Sequence, residues 1–352
     1  MGNKGFKIFI LIFILSIVVF FSTKYKDKII PKDTIKTLEI VQQIPTSEGE
    51  KVRAYDDIIV KYKDDSISTL NADGTNKWEK GLNIERPLVF PGEKTIYFCQ
   101  GTTGELYFLD FDGNSTKKVE LGIAVDKIIE KEGTLYAICK DKNKEVLILI
   151  DNSGNILGSI PSGEKILNFE SNMDKSKVVI SSLRAANGNI QSNLSFYNTK
   201  GDILSNVGFN DEIVTFLKFI DKDIVIAMTD KAIYKINSQT VVWNQKIENL
   251  KDIYVDNGEK MNIYVLGGKS LKIFDDSGEI QEEMALDGDY KKIYSYNGML
   301  ILVGDKNVLG FKKGKEILNY NIEDGEKVII DNSNIMLVTA EKTYLMKTIE
   351  KQ

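Results

Sequence analysis

The chain of 352 residues contains no histidine. Without an imidazole no Ser-His or Cys-His catalytic pair can be assembled, and the commonest ligand for zinc and copper is missing. Arginine is nearly as scarce, with only Arg53, Arg86 and Arg184 against 43 lysines. Lysine lacks the planar fork that grips phosphates and base edges, so the composition argues against nucleic-acid binding. Two cysteines, Cys99 in "TIYFCQG" and Cys139 in "LYAICKD", form no CxxC pair and cannot close a zinc site alone. Both sit in apolar strand-like runs, which reads as buried free thiols, with a bridge between neighbouring units as the alternative. Five prolines are too few for long disordered linkers.

Against these absences stands one long apolar run, "FKIFILIFILSIVVFFST" (Phe6–Thr23). Lys7 can snorkel to headgroups, so about 17 residues could cross a bilayer. A cleaved signal peptide would look similar, but phenylalanines occupy the places where cleavage needs small residues. The reading is an uncleaved transmembrane signal anchor over 6–23, after a short tail (1–5) and before a Lys-rich linker (24–33). Lysines flank the run on both sides, so charge does not fix its orientation. The expectation is that the N-terminus stays inside and the rest of the chain, 34–352, is exported.

Beyond the run, short β-branched and aromatic stretches alternate at period two between Asp-Gly, Ser-Gly and Lys-Gly turns. The turn before the last strand of each unit recurs at Gly74, Gly113, Gly154, Gly201, Gln239, Gly278 and Gly314, at intervals of 36 to 47 residues. That is the length of a four-stranded propeller blade. A further unit starts at Glu326 but ends before its last strand. "TIKTLEIVQQI" (Thr34–Ile44) can supply the missing strand through the alternation of Ile35, Leu38 and Ile40. The predicted fold is all-β, an eight-bladed β-propeller closed by an N-terminal strand, or seven-bladed if one unit is misread.

The stretch "SISTLNADGTNKWEKGL" carries a family likeness. Thr69, Asn71, Asp73, Gly74 and Trp78 resemble the repeat of quinoprotein (PQQ-type), WD40-like propellers, with the turn one residue shorter. In that family such tryptophans dock each blade onto its neighbour, which implies blade docking for Trp78 and for Trp243. The layout is also similar to the outer-membrane assembly lipoprotein B family and to membrane-anchored propellers of clostridia. Quinoprotein enzymes of this fold use a calcium ion and usually adjacent cysteines. Those cysteines and the arginines for the quinone carboxylates are lacking here, so no cofactor is expected.

Other motifs have bland explanations. Asp110, Asp112 and Asn114 alternate as in a calcium loop, yet they fall on the recurrent turn and lack the closing glutamate. No metal ligand and no catalytic residue is assigned. "LRAANGNIQSN" (Leu183–Asn193) lengthens one unit, which reads as a neutral insertion, with a partner-binding loop carrying Arg184, Asn187 and Asn189 as the alternative. The expected function is a non-enzymatic, membrane-anchored platform that binds a protein partner at the cell envelope. A ligand- or glycan-binding sensor is the alternative, and a hydrolase or lyase a more distant one.

Overall fold

In a computed structural model of the protein, residues 35–350 are described, apart from 56, 64, 143, 187–188 and 332–333. The apolar run 6–23 and the linker 24–33 lie outside the described residues. Within the described part every regular element is a β-strand. No helix there is long and apolar enough to cross a membrane.

The strands assemble into six four-stranded sheets and one eight-stranded sheet. In chain order the six cover 51–81, 87–120, 124–162, 165–210, 214–246 and 250–285. Each is an antiparallel meander in sequence order, as short hairpin turns dictate. The seventh sheet joins two such meanders. One half is formed by 290–321; the other by the last three strands (327–350) plus the first, Lys36–Pro45. A single parallel pair, Lys36 with Leu318, joins the halves.

Packing makes these sheets into a closed ring, a β-propeller. Each apolar cluster lies between consecutive units rather than inside one. Val60, Ile67 and Leu82 meet Ile96, Phe98 and Leu109, and Ile226 and Ile233 meet Ile253 and Phe274. The ring closes where Ile44 and Leu345 pack on Ala54, Ile59 and Leu70, and where Asn334 Nδ2 donates to the Ala54 carbonyl at 2.8 Å. Alternating side chains on each strand thus face two neighbours, which is why the central strands read as nearly continuous apolar runs.

Lys36–Pro45 takes the outer place in the last unit and pairs antiparallel with Lys342–Glu350, from Lys36 opposite Glu350 to Pro45 opposite Lys342. Its expected alternation is corrected in detail. Ile35 and Ile40 are exposed, whereas Leu38 and Ile44 are buried. A bulge between Ile40 and Gln42 reverses the parity of the strand. Leu38 consequently joins the core shared with 290–321, and Ile44 joins the core shared with the first sheet.

Candidate functional site

Two faces of the ring differ in construction. One carries the glycine turns between third and fourth strands together with the hairpins between first and second strands. The other carries the hairpins between second and third strands and the loops that lead to the next sheet.

On the glycine-turn face an Asx turn repeats. Asp110 Oδ1 accepts the N–H groups of Asp112 and Asn114, both at 2.9 Å, and Asp151 accepts those of Ser153 and Asn155 in the same way. Asp275 does so with Ser277 and Glu279. A carboxylate committed to its own turn serves that turn, and the side-chain hydrogen bonds from Asn114, Asn155 and Ser277, joined by the backbone N–H groups, hold Asp110, Asp151 and Asp275 below the usual carboxylate range. Asp112 pairs with Lys77 of the preceding sheet at 2.6 Å. Among the described residues no cluster of acidic or thiol groups could hold a metal ion.

The two tryptophans lie at these turns. Trp78 Nε1 donates to the Phe111 carbonyl at 2.9 Å, and Trp243 Nε1 donates to the Asp276 carbonyl at 3.0 Å. Each indole reaches the glycine turn of the next sheet, where Gly113 and Gly278 have φ of +83° and +82°. Sequence reasoning missed that the contact recurs without tryptophan. Gln42 approaches Gly74, Val119 and Lys117 approach Gly154, and Ser159 approaches Gly201. Only large indoles stand out in a single sequence.

The opposite face is dominated by the fourth sheet, whose middle strands, Lys177–Ala186 and Asn189–Asn198, are the longest hairpin pair. The lengthening expected to form a loop instead extends the ladder, which runs unbroken from Lys177 opposite Asn198 to Ala186 opposite Asn189. Arg184 is exposed and stands opposite Gln191, while Ile190, also exposed, pairs with Ala185 on the other face of the ladder. Asn189 opens the second of these strands, and Asn187 lies outside the described residues.

Buried-edge hydrogen bonds fix the base of this hairpin. Glu164 Oε2 accepts from Ser182 Oγ at 2.7 Å and from Asn193 Nδ2 at 3.0 Å. Glu212 accepts from Thr229 Oγ1 at 2.6 Å and from Tyr234 OH, and its carbonyl accepts from Ser192 Oγ at 2.8 Å. Two glutamates in the connecting loops thereby hold the hairpin, Glu164 through its carboxylate and Glu212 through its carbonyl, and the Glu212 carboxylate carries the link on to the fifth sheet.

Inside the ring, first strands gather a cavity of about 390 Å³ lined by Arg53, Glu93, Glu130, Lys131, Glu170 and Lys218 among others. One ion pair crosses its wall and a backbone N–H serves one of its carboxylates. Lys131 Nζ pairs with Glu170 at 2.8 Å, and Glu130 accepts the Glu93 N–H at 2.6 Å. Burial raises the Glu130 carboxyl, opposed by that N–H and by Tyr97 OH. Cys99 and Cys139 are fully buried free thiols in one apolar cluster between the second and third sheets, both pushed up to about 12 by burial.

The sequence matches the family described as "Family of unknown function (DUF5711)" over residues 31–348. The chain belongs to that family. No curated protein matches it. Among solved structures it is similar to BamB from Moraxella catarrhalis, at 12% identity and a TM-score of 0.57 over 88% of this chain and 97% of that one. Sqt1 from Saccharomyces cerevisiae is 12% identical with a TM-score of 0.59, over 89% of this chain and 98% of that one. The Dos1 propeller is 14% identical with a TM-score of 0.62, over 88% and 94%. At such identities the likeness is one of fold, and the fold is the β-propeller.

Proposed function

We propose that this DUF5711 protein is an eight-bladed propeller, tethered to the membrane through 6–23, that works as a protein-interaction platform on the outer side. In this reading the eight-stranded sheet counts as two blades meeting at Lys36 and Leu318. The single observation that carries the proposal is the direction of Lys36–Pro45. The strand begins opposite Glu350 on the glycine-turn side and ends beside the opposite face, where Thr46 N donates to the Glu341 carbonyl. A tether running back from Ile35 therefore leaves from the glycine-turn side. Ten linker residues reach about 35 Å at most, so that side stays near the lipid and the other is held outward.

The outward face carries the long hairpin with Arg184, Ile190 and Gln191, a cation and an aliphatic group on a rigid base, which is the composition of an interface anchor. The non-enzymatic character of the proposal rests on the turn chemistry of the carboxylates and on the paired charges within the ring. A second reading, capture of a small polar ligand or glycan, is favoured by the cavity of about 390 Å³ inside the ring.

The test is a photo-crosslinking residue at Gln191 in the full chain, in living cells. The platform reading expects a discrete protein adduct that disappears when Arg184→Glu is added, while the melting midpoint stays unchanged. Adducts indifferent to Arg184→Glu would contradict it.

A further inference from the structure

On the glycine-turn side the outer strands of four consecutive sheets begin with exposed aliphatic residues. These are Ile156–Leu157 in the third sheet, Ile203–Leu204 in the fourth, Val241–Val242 in the fifth and Ile280 in the sixth. Ile203 is 65% exposed. The same places in the first, second and 290–321 units hold Asn76–Lys77, Ser115–Thr116 and Lys315–Glu316. The aliphatic belt is thus confined to part of the ring. Met173, 92% exposed at the tip of an inner hairpin of the fourth sheet, extends it on the same side. Exposed aliphatic residues at the start of the outer strand in four consecutive sheets are unusual for a solvated rim.

What covers it follows from where the chain leads. Ile35, 61% exposed, precedes Lys36–Pro45 at the level where Ile156, Ile203 and Ile280 precede or open their own outer strands. From Ile35 the sequence runs back through ten linker residues to the apolar stretch Phe6–Thr23. Resting on the tether reading above, we infer that the belt of the third to sixth sheets lies on the bilayer surface, so that the propeller is seated on lipid. Branched aliphatic side chains at this height enter the boundary between headgroups and acyl chains, as apolar faces of interfacial elements do. The turns beside them carry charge of both signs, Asp151, Asp202 and Asp275 with Lys117, Lys200 and Lys260, so the contact proposed is the apolar one.

The experiment uses the full chain with a single added thiol, because buried Cys99 and Cys139 are withheld from labelling reagents. Leu204→Cys on the belt and Lys269→Cys on the opposite face are each labelled with a fluorophore. The chains are then reconstituted into phosphatidylcholine vesicles containing a headgroup-nitroxide lipid. Seating predicts that the 204 label loses emission as the nitroxide fraction rises, while the 269 label does not. Chains that float with the vesicles but show equal emission at both positions overturn the seating and leave the tether intact. Chains that do not float overturn the tether reading and the seating with it. Proximity imposed by the tether alone is separated by a label at Ile156→Cys in a chain carrying Ile203→Glu and Val242→Glu. Apolar contact predicts that its quenching falls, and unchanged quenching overturns that contact.

Discussion

The indole of Trp78 closes over Gly113 of the next sheet so tightly that a Cβ on that glycine would fall 2.9 Å from the ring. Trp243 and Gly278 repeat the relationship at 2.8 Å. Both glycines also need positive φ. Gly113→Ala therefore meets a steric clash and a strained backbone together, and should lose about 2–3 kcal/mol in urea unfolding. Trp78→Phe keeps much of the packing but removes the indole N–H that serves Phe111, for a loss of about 1 kcal/mol. If Gly113→Ala unfolds at the wild-type midpoint, the docking of first on second sheet is not a stabilising contact.

A second prediction concerns Asp252, on the first strand of the sixth sheet. Burial raises its carboxyl above the ordinary 3.8, against the Ile293 N–H it accepts at 2.9 Å and against Lys292. A raised carboxyl contributes stability below its unfolded pKa and loses that contribution as pH climbs through the folded value. Asp252→Asn removes this loss, so the variant should gain on the wild type between pH 4 and pH 7. Urea midpoints of both proteins at the two pH values check it. A variant that instead falls behind as pH rises would mean the ionised form is the one the fold favours.

The thiols give a third. With Cys99 and Cys139 buried and pushed up to about 12, neither is an available thiolate at neutral pH. A chromogenic disulfide reagent should report no accessible thiol in the native protein and two after unfolding in denaturant. Prompt native reaction would contradict the packing of the layer between the second and third sheets.

Much of this fold is legible in the sequence. The glycine turns repeat because six of them need positive φ, from Gly74 at +82° to Gly314 at +74°, and only glycine adopts it cheaply. The docking layer is legible only at Trp78 and Trp243, since Gln42 and Val119 do the same work with side chains that carry no signature, and Ser159 does it with its carbonyl. Lys36–Pro45 could be assigned from its place in the chain, yet its bulge could not. A residue inserted into one strand leaves no mark until Leu38 and Ile44 are seen facing different neighbours. The hairpin carrying Arg184 is legible as extra length, but not as a ladder, because the loop contacts of Glu164 and Glu212 with Asn193 and Ser192 follow no local pattern. Inner-strand contacts such as Asp252 with Ile293 join different units and follow no local pattern.

The first strand closes the ring, and its direction fixes the side on which the chain enters it. Thermal unfolding of two shortened chains, one starting at Lys32 and one at Ser47, tests it most directly. The chain from Lys32 keeps Leu38 and Ile44 and should melt cooperatively as a monomer. The chain from Ser47 leaves Lys342–Glu350 as an open edge and uncovers both cores that Lys36–Pro45 seals. It should melt at a markedly lower temperature or self-associate through that edge. Equal melting temperatures with both chains monomeric would contradict the claim.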